Sequence, residues 1–419
     1  MRMIKRAVAL AVAAVTCTAA GMTTATTQAA TTRPTAVGTV AYDLGDSAFR
    51  PPAKIGYEGA NELAGTVYYP RDLEHGRHPL IVIEHGSWQT CADRKATDAN
   101  AAAQRALEEA QRKGDTAEEE RQEKILEKTG ALIWRWPCAG RTPPLPSLNG
   151  YAYLGRKLAE RGFVIVSIGT NGINATAEGQ ADTVYYARAA LINAHLAMWQ
   201  RLSSSGTGPL RGKFTDPRTH RPRDVGFAGH VDLSNVGTIG HSMGGGGVMQ
   251  QVADQRRSEW PTGVTVRAAF ALAPTDNWNE EIVTKVPFAV MWGTCDQVNT
   301  GHYFEDSAGH NRAPIYRYTL AGGNHDNYNT EWSPSGGQVG SKDDALPGTR
   351  PGTCRTQFPD GPQTDDRELT ETRQRAITTT YVLAFFQRHL HGRKDFDAIL
   401  TGRRHPKDVT PQYEVAHAS

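Results

Sequence analysis

The residues best placed to do chemistry lie in Gly240-His241-Ser242-Met243-Gly244. The β-branched run Val236 to Ile239 leads into this motif, and Gly245-Gly246-Gly247-Val248-Met249 leads out of it as the start of a helix. A serine on a tight strand-to-helix turn is forced into an unusual backbone conformation, with its hydroxyl pushed out past the sheet edge. Glycines two before and two after it remove the side chains that would collide there. The helix start also sets N–H groups and a positive dipole end beside any developing oxyanion. This is the setting of a serine nucleophile in acyl transfer. The bland alternative is a glycine-rich turn holding an inert serine, in a chain with 42 glycines. The strand before and the helix after favour the nucleophile.

A serine hydroxyl needs a base to accept its proton and an acid to orient that base. In strand-turn-helix enzymes of this kind the chain order is Ser, then Asp or Glu, then His. Asp296 follows the strand-like Pro287 to Trp292, within Trp292-Gly293-Thr294-Cys295-Asp296, and His325 follows Ile315 to Leu320, within Gly322-Gly323-Asn324-His325-Asp326. Both fall at the carboxyl ends of strands, where open α/β sheets gather their sites. Asp276 is the rival acid by the same reasoning. Asp326 adjoins His325 in the chain and is expected to point away, His302, His310 and His391 lack a strand-end setting, and His241 is expected to pack its ring inside the turn. Two N–H donors would have to hold the oxyanion. Met243 supplies one, and the loop after Ile83, Glu84-His85-Gly86-Ser87-Trp88, supplies the other from Ser87, with Trp88 as the alternative. Trp88, Trp278, Trp292, Tyr328 and Trp332 fall near loop ends; Trp88, Trp278 and Trp332 are the expected substrate contacts, against ordinary packing as the plain reading.

The elements that must position these residues read as alternating strands and helices. Glu62 to Tyr69 and the continuous apolar run Leu80-Ile81-Val82-Ile83 read as strands, as do Phe163 to Ile168, Val236 to Ile239, Arg267 to Leu272, Pro287 to Trp292 and Ile315 to Leu320. Tyr151 to Arg161, Thr183 to Leu202 and Glu368 to His391 read as helices, the last closing the domain. The alternation predicts an α/β fold with a mostly parallel central sheet and helices on both faces. Residues 92–137 break the rhythm as a charged helical hairpin with a stop at Gly114-Asp115: a solvated surface insertion on its charge pattern, or a lid or partner arm on its position after the oxyanion loop. Residues 203–230 are rich in Gly, Pro and Arg and read as a long irregular loop.

At these motifs the sequence resembles the α/β-hydrolase superfamily. Gly240 to Gly247 is similar to the turn of bacterial cutinases and polyester hydrolases, and Arg267 to Pro274 and Val286 through Asp296 follow in the same order. Glu84-His85-Gly86 is closer to the platelet-activating-factor acetylhydrolase and dienelactone hydrolase branches. The resemblance covers roughly residues 60–91 and 150–390 and implies an α/β-hydrolase fold and an ester-cleaving Ser242, Asp296 and His325 triad, cutinase- or lipase-like. The departures are Thr275 and Ser87 where such cutinases carry aromatics, serine where dienelactone hydrolases use cysteine, and the insertion 92–137.

Composition sets the surroundings. Arg2, Lys5 and Arg6, the apolar Ala7 to Val15 and a small-residue stretch ending at Ala29-Ala30 read as a Sec-type signal peptide over residues 1–30, too short in its apolar part to span a bilayer. Residues 31–419 then form one hydrolase domain, expected outside the cell. The three residues before Cys17 make a poor lipoprotein signal. A net charge of +2 gives no reason to expect nucleic acid as a partner. Of five cysteines, setting aside Cys17 leaves Cys91, Cys138, Cys295 and Cys354. An even number in an exported chain predicts two disulfides out of three possible pairings; Cys91–Cys138 and Cys295–Cys354 are preferred because each staples one local excursion. No zinc spacing is present, and the chemistry requires neither metal nor organic cofactor. The expected partner is an ester, whether small molecule, lipid or polyester. An acyltransferase or peptidase on the same triad, or a silent binding protein that keeps the fold, are the competing readings.

Overall fold

Leu80 to Ile83 carries no polar alternation because both faces of its strand are covered. In the computed structural model, which describes residues 34–276, 281–296, 298, 301–336, 352–355 and 365–417, the strands are β1 (Val37–Asp43), β2 (Ala64–Pro70), β3 (His78–Glu84), β4 (Val164–Ile168), β5 (Val231–His241), β6 (Val266–Leu272), β7 (Phe288–Gly293), β8 (Ile315–Leu320), β9 (Thr353–Arg355), β10 (Asp365–Arg367) and β11 (Val409–Glu414). The helices are α1 (Arg94–Lys113), α2 (Thr116–Ile133), α3 (Ala152–Ala159), α4 (Asn171–Thr176), α5 (Thr183–Ser205), α6 (Met243–Val252), α7 (Tyr303–Ser307), α8 (Glu371–His389) and α9 (Asp397–Leu400). The signal-peptide reading over residues 1–30 and Trp278 lie outside the described residues.

The large sheet runs β1-β2-β4-β3-β5-β6-β7-β8-β11. From β4 to β8 every pairing is parallel, while β1, β2 and β11 pair antiparallel at the edges. This is a mixed α/β architecture with a mostly parallel sheet. Alternate residues of the central strands feed two cores: Leu80, Val82, Val164 and Val166 pack with Leu191, Trp199 and Val248, and Ile81, Ile83, Ile165 and Ile239 pack with Leu154, Leu158, Ile377 and Phe385. Helices α5 and α6 thus cover one face and α3 and α8 the other. The chain goes from β3 to β4 on one side and then to β5 on the other. The order reverses at β3, and the crevice at such a switch point is where open α/β sheets bind ligands.

The charged stretch after β3 forms the helices α1 and α2. Asp93 accepts the Ala96 N–H at 3.0 Å, Gly114 ends α1 with φ 67°, and Asp115 starts α2 by accepting the Glu118 N–H at 3.1 Å. Only Ala96, Thr97, Ala103, Leu107 and Ala110 of α1 and a few residues of α2 are buried, and Ile125, Leu132 and Trp134 are exposed. Disulfides join Cys91 to Cys138, at the base of this excursion, and Cys295 to Cys354. Among the described residues no helix is long and apolar enough to cross a membrane.

The domain does not close on the helix read from Glu368 to His391. After α8 the chain turns through α9 and returns as β11, an edge strand on β8. Its sequence Val-Thr-Pro-Gln-Tyr-Glu lacks an apolar run and contains Pro411, a composition tolerated at a sheet edge but unlike a central strand. The short β9–β10 pair also carries no pattern that marks it beforehand.

Candidate active site

Strand β5 ends at His241 and α6 begins at Met243, so Ser242 alone makes the turn. Its backbone is at φ 57° and ψ −125°. A non-glycine residue held in such a region costs about 1–3 kcal/mol and persists only where its surroundings over-determine it. Here the Ser242 N–H donates to Leu272 O at 2.9 Å, and Ser242 O accepts from Gly246 N–H and Thr275 N–H, both at 3.1 Å. The flanking glycines allow the crossing. A Cβ on Gly240 would lie 2.1 Å from Gly244 O, and one on Gly244 would lie 2.5 Å from Glu84 O.

Asp296 and His325 meet from the ends of β7 and β8. His325 Nδ1–H donates to Asp296 Oδ2 at 2.8 Å, and Asp296 is fully buried. With the proton on Nδ1, the neutral ring keeps its lone pair on Nε2, the arrangement a general base requires. The two loops are zipped together: Cys295 N–H donates to Gly323 O at 2.9 Å and Gly322 N–H to Thr294 Oγ1 at 2.8 Å. From α8, the buried Gln374 amide grips the histidine loop twice, accepting Asn324 N–H at 2.9 Å and donating to Asn324 O at 2.7 Å. The Cys295–Cys354 link spans 59 residues beside the acid, which on chain-entropy grounds is worth about 4 kcal/mol. Asp276, the rival acid, instead faces His302, with Oδ2 3.3 Å from Nδ1, and is partly exposed.

His241 has a role beyond the packing its position suggested. Its Nε2–H donates to His325 O at 2.9 Å, and its Nδ1 accepts from Tyr151 OH at 2.9 Å. Burial holds this imidazole well below its ordinary pKa, so the neutral tautomer is the one these partners need. The residue preceding Ser242 therefore ties the histidine loop to the turn.

The loop after β3 lies against the same point. A Cβ on Gly86 would come within 2.5 Å of Ser242 Cβ and 3.1 Å of Ser242 Oγ. Neither the Ser87 N–H nor the Met243 N–H meets an acceptor among the described residues. Trp88 stacks on Trp332 with ring centroids 5.4 Å apart. Trp332 is fully buried, also contacts the rings of His85 and His241, and donates Nε1–H to Ser147 Oγ at 2.9 Å. Its place is thus beneath Trp88, as is usual for a buried indole with a hydrogen-bond partner. Tyr328 is also buried, against His241. Among the described residues no group of three or more His, Cys, Asp or Glu is arranged to hold a metal ion.

Short helix α4 packs beside this loop, and its first N–H groups are satisfied from the segment just before β2. Glu62 accepts Asn171 N–H at 2.8 Å and Gly172 N–H at 3.0 Å, and Asn61 Oδ1 accepts Ile173 N–H at 2.9 Å. Burial outweighs these donors and pushes the Glu62 carboxyl up from 4.5 to about 7. The folded state therefore binds this proton more tightly than the unfolded chain. The stability this contributes is fully present below the unfolded value and is lost as pH rises through about 7. Glu62→Gln is expected to flatten the decline in melting temperature between about pH 4.5 and 7. Identical pH slopes for variant and wild type would contradict that account.

Sequence reasoning gave no site role to Glu62, Asn61 or Gln374 and read His241 as packing alone, because each acts on backbone groups far away in the chain. Comparison of the chain with protein-family models and with curated proteins found no match.

Proposed function

We propose that this chain is an exported serine hydrolase of the α/β-hydrolase fold that cleaves carboxylic esters. One observation carries the reading: a serine held at φ 57° on a strand-to-helix turn, whose neighbour His241 is bonded to the backbone of a histidine that itself donates to a buried aspartate at 2.8 Å. The strand order, with the serine turn and the Gly86 loop on either side of the switch point, supports the fold assignment. Two disulfides and the basic-then-apolar amino terminus support export.

In this mechanism His325 Nε2 takes the proton from Ser242 Oγ as Oγ attacks the ester carbonyl. The N–H groups of Met243 and Ser87 hold the oxyanion, and Asp296 stabilises the imidazolium. His325 then gives its proton to the departing alkoxide, which leaves as the alcohol. A water, deprotonated by His325, attacks the acyl-enzyme; the acid departs and Ser242 regains its proton. The substrate is an ester of a small molecule, a lipid or a polyester, in line with the resemblance of the serine turn to cutinases.

Three assays on the purified protein test the reading: a panel of short p-nitrophenyl esters, the same panel with an added alcohol acceptor, and matched amides. Ester turnover to free acid is expected. Transfer to the alcohol instead would indicate an acyltransferase, and amide cleavage a peptidase. A fluorophosphonate probe should label Ser242; no labelling would indicate a silent binding protein. Protonating His325 removes the base, so ester turnover should fall on the acid side of its pH profile. A rate that stays flat as the pH is lowered while the protein remains folded would contradict the assignment of His325.

A further inference from the structure

Carbonyls of the loop after β3 are gripped from below by two buried side chains that the mechanism does not use. Arg188, on α5, donates from Nη1 to His85 O at 3.0 Å. Asn174, on α4, donates from Nδ2 to Gly86 O at 3.0 Å and to Trp88 O at 3.5 Å. The orientation of the Asn174 amide is fixed, because Arg188 Nη2 also bonds it and a guanidinium only donates. Oδ1 must therefore face Arg188, which leaves Nδ2 facing the loop. Gly86 O receives a second bond, at 2.9 Å, from His85 Nδ1. That tautomer is set by the Thr170 N–H, which donates to His85 Nε2 at 3.0 Å.

These bonds decide where the next N–H points. A trans peptide is planar, with its C=O and N–H on opposite edges. Holding Gly86 C=O down onto Asn174 and His85 therefore aims the Ser87 N–H the other way. Gly86 itself packs on Ser242, so this peptide stands beside the nucleophile. We infer that Asn174, supported by Arg188 and Glu84, is a positioning residue that aims the Ser87 N–H at the oxyanion; the inference rests on the ester-hydrolase reading above.

The support is built at some cost. Arg188 and Glu84 are both fully buried, with Nη1 and Oε1 3.9 Å apart. Burying such a pair is a poor route to stability, since desolvation offsets most of the attraction. Space for it is reserved in the serine turn itself: a Cβ on Gly247 would lie 2.6 Å from Arg188 Cβ and 2.7 Å from Glu84 Oε2. The glycine run after Ser242 thus serves two ends. Gly244 lets α6 cross the loop backbone, and Gly247 makes room for Arg188, which bonds Asn174, and for Glu84 beside it.

Asn174→Asp tests the inference. The variant keeps the size of the side chain and an acceptor for Arg188, but replaces the donor that holds Gly86 O and Trp88 O with an oxygen. On a short p-nitrophenyl ester, kcat is expected to fall about 10- to 100-fold, since loss of one oxyanion donor outright costs about 10²- to 10³-fold. KM should stay within about twofold and the acid limb of the pH profile should not move, because Ser242, His325 and Asp296 are untouched. Affinity for an alkyl boronic acid, which forms a tetrahedral adduct on the serine, should fall by a factor similar to kcat. Wild-type kcat in the variant, or a kcat loss with boronate affinity retained, would overturn the inference. Should the aspartate variant fail to fold, Asn174→Ala carries the same expectations. A wild-type protein that neither hydrolyses esters nor binds the boronate would instead fail the hydrolase reading, a result distinguishable from loss confined to the variants.

Discussion

Ser242→Ala is expected to lower ester turnover by about 10⁴- to 10⁶-fold while leaving the melting temperature within a few degrees. The size of the loss follows from the division of labour in the site. Without the hydroxyl no acyl-enzyme forms, and only the N–H donors and substrate binding remain to assist attack by water. Stability should be nearly untouched because the turn is held through the Ser242 backbone, which bonds Leu272, Gly246 and Thr275, and not through its side chain alone. Alanine has the same steric quarrel with a φ of 57° as serine, so the strain is common to both proteins. A variant that loses activity and folding together would make Ser242 a structural residue and leave the proposed chemistry without a nucleophile.

Asp296→Asn should cost about 10⁴-fold in kcat, and Asp276→Asn no more than about threefold. The two aspartates compete for the same role in the chain order, and their surroundings separate them. Asp296 is buried and accepts the His325 Nδ1–H at 2.8 Å; Asp276 is partly exposed and faces His302. An asparagine at 296 keeps the shape but can turn an NH₂ group toward Nδ1. That would favour the tautomer with its proton on Nε2, where it cannot accept the serine proton. Comparable losses at both positions, measured as kcat on one ester, would mean that the acid has been assigned to the wrong strand end.

Some of this molecule could be read without coordinates. The apolar run Leu80 to Ile83 announced a strand buried on both sides, and the structure divides its residues between the two cores. The preferred cysteine pairings were legible in part: Cys91 and Cys138 bracket the α1–α2 excursion as expected, whereas the span from Cys295 to Cys354 includes the sheet strand β8 and the histidine loop. Edge features were not. Strand β11 has Pro411 and mostly polar residues, and an edge strand needs only backbone pairing on one side, so no periodic signal betrays it. Trp332, an expected substrate contact on grounds of position, is fully buried beneath Trp88, because a residue type near a loop end does not say which side of the loop it lies on.

By itself the amino-acid sequence determined the alternation of strands and helices and the glycine spacing around Ser242. It also determined the order in which a hydroxyl, a carboxyl and an imidazole leave strand ends. These are local patterns, set by backbone sterics and periodic burial within a few residues. Only the tertiary structure decided that Asp296 and not Asp276 meets His325, and that Asn174, Arg188, His241 and Gln374 hold the loops around them. The reason is physical. Arg188 reaches the His85 carbonyl across 103 residues and Asn174 reaches the Gly86 carbonyl across 88. Every residue carries such a carbonyl, so no side-chain type in the sequence marks which one will be held.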